Sequence, residues 1–255
     1  MDLQLKGLNA LVTGGSRGIG RAIVEALAAE GCNVAFCARS ESGVNDTVTA
    51  LQGAGAEIFG RAVDVGDGDG MAGFVADSAT QFGGLDIVVI NVSAMPGAAA
   101  DRAAWEKSLE IDVMGAFNAV DPAMPYLEKS AAASIVAISS VSGVENSADR
   151  ISPYCPVKAA LIAYMSNLSK VLGRQGIRAN TVSPGTIYFE GGVWNQVEQN
   201  APQMYQAALD RNPFGRMGRP EEVARAAVFL ASPAASFISG TNLIVDGAIT
   251  NRIQF

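Results

Sequence analysis

The stretch Asn9-Ala10-Leu11-Val12-Thr13-Gly14-Gly15-Ser16-Arg17-Gly18-Ile19-Gly20 decides how this chain folds. Its first four residues read as a strand that runs straight into a cluster of glycines. Beyond Gly18 the residues Ile19, Ala22, Ile23, Ala26 and Leu27 recur at helical spacing, and Gly31 stops the helix. Glycines between a strand and a helix permit a tight turn and let backbone N–H groups approach a pyrophosphate. The helix N-terminus behind them adds the positive end of its dipole. A glycine-rich turn with no ligand shares the pattern, but the strand before and the helix after favour phosphate binding.

Outward from this unit the same alternation continues. Val34-Ala35-Phe36-Cys37 is a second strand, followed by a helix over 44–51 and a third strand over 58–63. Ile87-Val88-Val89-Ile90 and Ile135-Val136-Ala137-Ile138 are nearly all apolar, as strands buried on both faces are. A long helix spans 153–172, with a strand near 179–182 and a last one at Leu243-Ile244-Val245. Strands alternating with helices call for a doubly wound parallel sheet, the Rossmann type of α/β fold, with helices on both faces and right-handed crossovers. With no linker or shift in composition, residues 1–255 read as one dinucleotide-binding domain, with a flap at about 186–218.

Composition narrows the chemistry. Of 255 residues 49% are hydrophobic and 17% charged, which supplies a core. A net charge of −7 with no basic stripe argues against nucleic acid. The chain has no histidine, which removes a Ser-His-Asp triad, an imidazole base and His-ligated metal, and no metal site is expected. Cys32, Cys37 and Cys155 are too far apart for a CxxC motif, and their odd number suits a reducing cytoplasm. The N-terminus lacks a signal-peptide pattern, and no apolar run approaches the roughly 20 residues that span a bilayer. A cytoplasmic protein without a membrane partner is expected.

The spacing Thr13-Gly14-(x)3-Gly18-Ile19-Gly20 resembles the TGxxxGxG loop of the short-chain dehydrogenase/reductase family, and further motifs follow in that family's order over 8–247. The resemblance implies an oxidoreductase that passes hydride between a nicotinamide cofactor and a carbonyl or secondary alcohol. It implies cofactor contacts from Gly14, Ser16, Arg17, Gly18, Ile19 and Gly20. The second strand ends at Arg39-Ser40, where an NAD-selective pocket places an acid for the ribose hydroxyls. Arg39, flanked by Arg17 and helped by Ser40, suits a 2′-phosphate instead, so NADP(H) is favoured over NAD(H). Asp64 and Val65 are expected at the adenine, and the backbone of Ile187 at the nicotinamide carboxamide.

Tyr154-Cys155-Pro156-Val157-Lys158 opens the long helix, and residues i and i+4 share a helix face. A phenol ordinarily titrates near 10, and nearby positive charge from Lys158 and the oxidised nicotinamide brings it toward neutrality. Tyr154 then serves as general acid in reduction and general base in oxidation. Tyr154 and Lys158 are also expected to touch the cofactor. Ser140, just beyond the fifth strand, by resemblance holds the substrate oxygen. Alone, a serine at a strand end caps the next turn; with Tyr154 and Lys158 it reads as an active site.

Three positions depart from the family pattern. Asp112 stands where the family carries a catalytic Asn that organises a relay water; a carboxylate merely ending a helical turn is the other reading. Ile90-Asn91 replaces Asn-Asn, which leaves Asn91 to reach the cofactor ribose and loses the bracing role of the first Asn. Phe189 replaces a threonine and removes one carboxamide contact. These departures support an alternative, a catalytically weakened NADP-binding regulatory protein. A third reading is a reductase of 3-oxoacyl thioesters on acyl carrier protein, for which Lys129 and Arg174 are candidate docking residues. Tyr188, Phe189, Val193 and Trp194, with Met204, Tyr205 and Phe214, form either an aromatic flap hinged at Gly191-Gly192 or ordinary core. Small residues Ala159, Ala160 and Ala163 on the long helix, with the last strand, suggest a homotetramer or homodimer.

Overall fold

Alternate residues of each central strand belong to different cores. Val12, Val89 and Val136 pack on one face of the sheet, while Leu11, Val88 and Ile135 pack on the other. The two-residue period of a strand, apolar at every position, therefore demands a helical layer on both sides. The computed structural model describes residues 1–53, 55–97, 99–145 and 151–253. Seven parallel strands form one sheet in the order β3-β2-β1-β4-β5-β6-β7. They are β1 (Asn9–Thr13), β2 (Asn33–Ala38), β3 (Ile58–Ala62), β4 (Ile87–Ile90), β5 (Ser134–Ile138), β6 (Arg178–Pro184) and β7 (Asn242–Val245).

Helix α1 (Gly18–Ala29) follows β1 directly, and α2 (Glu41–Ala50) starts where the Ser40 side chain accepts from the Gly43 N–H. Helix α3 (Gly68–Phe82), which the sequence reading did not single out, is capped by Asp67 and buries Met71, Phe74, Val75, Ser78 and Ala79 at helical spacing. Helix α4 (Arg102–Ser108) passes through a π-helical turn, Leu109–Met114, into α5 (Gly115–Val120). A short α6 (Met124–Leu127) leads to β5. Helix α7 (Tyr154–Leu172) is the longest. Two short helices, α8 (Val193–Asn200) and α9 (Pro202–Asp210), precede α10 (Pro220–Ala231). The last carbonyls of α10 accept from the Arg178 guanidinium at 2.6–3.0 Å, which ties that helix end to β6.

The strand order reverses between β1 and β4, because β2 and β3 lie on one side of β1 and β4 on the other. Loops at the carboxyl ends of those two strands diverge and leave a crevice, the place where open parallel sheets bind ligands. Among the described residues no helix is long and apolar enough to cross a membrane.

Candidate active site

A cleft of about 1080 Å³ opens at that switch point. It gathers Gly14, Ser16, Arg17, Ile19, Gly20, Arg39, Ser40, Asp64, Val65, Asn91 and Ile187 with Ser140, Tyr154 and Lys158. Gly14 and Ile187, 173 positions apart in the chain, thus share one cavity.

The glycine loop is shaped by contact as well as by turn geometry. A Cβ on Gly20 would lie 2.1 Å from the Gly14 carbonyl oxygen and 2.4 Å from the Asn91 side-chain nitrogen. Only glycine lets α1 begin this close to the loop. Asn91 donates its side-chain N–H to the carbonyls of Thr13 and Gly14, at 3.2 and 3.3 Å, and its backbone N–H to Thr13 Oγ1 at 2.9 Å. Asn91 thus braces the glycine loop from the end of β4. The reason lies in the sheet: β4 pairs with β1, so the first residue beyond β4 reaches the loop beyond β1.

At the end of β2, Arg39 is exposed, and neither it nor Arg17 makes a salt bridge among the described residues. Two free guanidinium groups bordering one cleft suit a phosphate. Ser40 caps α2 through its hydroxyl oxygen and contacts Ser42 at 2.8 Å. Asp64 Oδ1 accepts from the Gly66 N–H at 3.0 Å, and the Val65 carbonyl accepts from Asn118 at 2.9 Å. Ile187 is buried and bridges to Gly218, with Tyr188 N–H donating to the Gly218 carbonyl and Gly218 N–H to the Thr186 carbonyl. Two buried hydroxyls in the cleft, Ser93 Oγ and Thr186 Oγ1, have no hydrogen-bond partner among the described residues. Such orphans normally carry a cost, which a polar ligand in the cleft would relieve. The glycine cradle, the free arginines and the orphan hydroxyls all fit a dinucleotide. Neither Ser93 nor Thr186 was picked out from sequence, where an isolated hydroxyl gives no signal.

The second cluster lies around the start of α7. Tyr154 is the first helical residue, and its N–H donates to Ser152 Oγ at 3.3 Å. Lys158 lies one turn on, with Nζ 5.9 Å from the Tyr154 ring centre and 3.4 Å from the Ile138 carbonyl to which it donates. Ser139 donates to the Lys158 carbonyl at 2.9 Å, pinning the helix to the end of β5. Ser140 is buried, and its Oγ accepts from the Ser142 N–H at 3.1 Å. Its own hydroxyl proton is left to point elsewhere. Ser140 therefore caps the turn after β5 and also lines the cleft.

Asp112 does more than end a helical turn. It sits in the π-helical segment with its Oδ1 3.0 Å from Lys158 Nζ, and the two side chains are 0% and 2% exposed. The approach is close but not aligned as a hydrogen bond, since Oδ1 has no hydrogen-bond partner among the described residues. Its Oδ2 accepts from the Ala94 N–H at 2.9 Å. The carboxylate meets the ammonium directly, with no gap between them for a bridging water.

The aromatic segment divides. Phe189, Val193 and Trp194 line the cleft, whereas Met204 and Phe214 are 56% and 69% exposed and Tyr205 packs edge-to-face on Tyr188. Phe189 lies against the glycine loop: a Cβ on Gly18 would fall 2.6 Å from its ring, and one on Gly192 2.9 Å. Lys129 and Arg174 are exposed but lie in the segments that enter the amino ends of β5 and β6. No group of three or more His, Cys, Asp or Glu suited to a metal occurs among the described residues.

A doubly wound parallel sheet with a braced glycine loop and a Ser-Tyr-Lys set in one crevice defines a nicotinamide-dependent oxidoreductase. The family model described as enoyl-(acyl carrier protein) reductase matches residues 14–250. The chain is similar to the isoepoxydon dehydrogenase patN of Penicillium expansum, 41% identical over 254 residues that cover 98% of each chain. It also resembles a 7α-hydroxysteroid dehydrogenase solved with NADH and 7-oxo glycochenodeoxycholic acid (28% identity, TM-score 0.89, 99% and 98% covered). The Pseudomonas aeruginosa RhlG/NADP complex is comparably close, at 32% identity and TM-score 0.89, with 97% and 98% covered. The chain belongs to the short-chain dehydrogenase/reductase family of NAD(P)-dependent oxidoreductases.

Proposed function

We propose that this protein transfers hydride between NADP(H) and a carbonyl or secondary alcohol carbon, with Tyr154 as the proton-transferring residue. The observation that carries the proposal is the meeting of Ser140, Tyr154 and a buried, carboxylate-paired Lys158 in one cleft with the braced glycine loop. The nicotinamide, when bound, supplies or accepts the hydride. The chain's own residues do the rest. Ser140 donates its hydroxyl to the substrate oxygen and steadies the charge that develops there. Tyr154 gives that oxygen a proton in reduction and takes it back in oxidation. Lys158 keeps a positive charge beside the phenol, and Asp112 holds that ammonium in place.

Arg39 and Arg17 would hold the 2′-phosphate; the glycine loop with Ser16, Gly18 and Ile19 the pyrophosphate; Asp64 and Val65 the adenine. Ile187 and the free hydroxyl of Thr186 would hold the carboxamide end. The departure at Phe189 removes one polar contact there, and Thr186 offers another a few residues away. In this reading 186–218 is a flap whose two ends are joined at Ile187 and Gly218. Cytoplasmic residence is part of the same reading and accords with three unpaired cysteines.

A homotetramer or homodimer is also proposed. Ala159, Ala160 and Ala163 are exposed on α7 rather than packed on the chain's own sheet. Leu109, Met114 and Phe117 on the α4–α5 run are 44–48% exposed, and Phe237 near β7 is wholly so. Apolar patches of this kind mark contact surfaces. Light scattering at micromolar concentration should give a multiple of the chain mass.

The functional reading is tested by Tyr154→Phe. Turnover of ketones should fall to near background while NADPH binding, read by fluorescence, stays within a few-fold of the unmutated protein. Retained turnover would overturn the assignment. NADPH binding without reduction of any ketone in a broad panel would favour the weakened regulatory protein instead.

A further inference from the structure

The segment after β7 is anchored at both of its ends and borders the cleft. Asp246, just past β7, holds the next turn through three bonds. Its Oδ1 accepts from the Ala248 N–H at 2.8 Å, and its Oδ2 from the Thr250 N–H at 3.0 Å and the Thr250 hydroxyl at 2.8 Å. The Asp246 carbonyl accepts from Asn212 at 3.5 Å. Gly247, at φ +66°, lies so close to Asn212 that a Cβ would sit 2.9 Å from its side-chain oxygen. Ala248 takes φ +66° without being glycine. A residue with a Cβ persists there only where its surroundings over-determine the turn, and the three bonds to Asp246 do so.

The far end of the segment is held from a remote part of the chain. The Asn251 N–H donates to Glu145 Oε2 at 3.0 Å. Glu145 belongs to the same loop after β5 as Ser140, so the latch joins segment 247–251 to the loop of the candidate substrate-oxygen donor. Between the two anchors Ile249 and Thr250 line the cleft, beside Ala208 and Arg211 of the α9 region. The Thr250 hydroxyl is already engaged by Asp246, so it brings no free hydroxyl proton to the cavity.

We propose that segment 247–251 is a fixed wall of the substrate cleft that limits substrate size, with the Glu145–Asn251 bond as its latch. The wall makes the site selective for compact carbonyl compounds over bulky ones. The proposal rests on the carbonyl-reductase reading above.

The test uses the full-length protein with NADPH. Cyclohexanone and the fused two-ring ketone 2-decalone serve as compact and bulky substrates. Glu145→Ala and Ile249→Ala should each raise the kcat/KM ratio of bulky over compact ketone about tenfold, within the range that pocket shape supplies. Glu145→Gln keeps an acceptor oxygen for Asn251 and should hold the ratio near the unmutated value. Amide hydrogen exchange at 248–251 should quicken about fivefold in Glu145→Ala, as expected for loss of one hydrogen bond. The NADPH Kd should stay within twofold in all three variants, which separates a moved wall from general damage. Turnover of both ketones with an unchanged ratio overturns the wall alone. An unmutated protein that binds NADPH but reduces no ketone in a broad panel, these two included, overturns the functional reading and the wall together.

Discussion

Asp112→Asn tests whether the Lys158 ammonium depends on a carboxylate partner. The side chains are 3.0 Å apart and at most 2% exposed. At an effective dielectric constant of about 20, a unit-charge pair at that spacing attracts by about 5 kcal/mol. Removing one member of a buried pair costs about 3–5 kcal/mol, because the other charge stays buried without compensation. Lys158 borders the cleft, where water can relieve part of the deficit, so the low end, about 3 kcal/mol, is expected. For a chain of this size that lowers Tm by about 6–12 °C. The assay is thermal unfolding of the cofactor-free protein at one fixed concentration, so that any assembly contributes equally. Lys158→Met added to Asp112→Asn removes the stranded charge, and the double variant should melt above Asp112→Asn alone. Asp112→Asn melting within about 2 °C of the unmutated protein, a shift of under 1 kcal/mol, would refute the pair as a structural element.

Arg39→Asp should weaken NADPH by about 1.5–3 kcal/mol, roughly ten- to a hundredfold, and leave NADH binding equal or better; fluorescence titration with both cofactors decides it, and an unmutated protein that prefers NADH sinks the assignment. Phe189→Ala should tighten NADPH binding about fivefold, since the ring rests on Gly18 and covers part of the loop offered to the pyrophosphate, at a burial cost on the order of 1 kcal/mol. Unchanged or weaker binding would mean the ring does not oppose the cofactor. Burial pushes the Cys32 and Cys37 thiols up to about 12, so neither is appreciably ionised at pH 8. Half-buried Cys155 should therefore be the one thiol that reacts quickly with a disulfide reagent in the native protein, and two fast equivalents would contradict the packing.

Local pattern determined a large part of this protein. The all-apolar strands, the glycines between β1 and α1, and the i,i+4 pairing of Tyr154 and Lys158 are features of neighbouring residues. Backbone sterics and helix period turn such features into structure without reference to distant chain, so the sheet, the loop and the face of α7 were all legible. The ends were less so: β3 stops at Ala62, one residue short of expectation, and β6 runs on to Pro184. What the tertiary structure alone decided are contacts between elements far apart in sequence. The chain order shows Asp112 only as a substitution in a helix, and the packing of the π-helical turn on α7 puts it against Lys158. Asn91 braces the glycine loop because β4 pairs with β1, 78 residues earlier. Glu145 meets Asn251 across 106 residues, with no periodicity to announce it. Such pairs are set by how the layers stack and where the sheet twists, and a single side chain's identity carries no record of the partner that packing will bring to it.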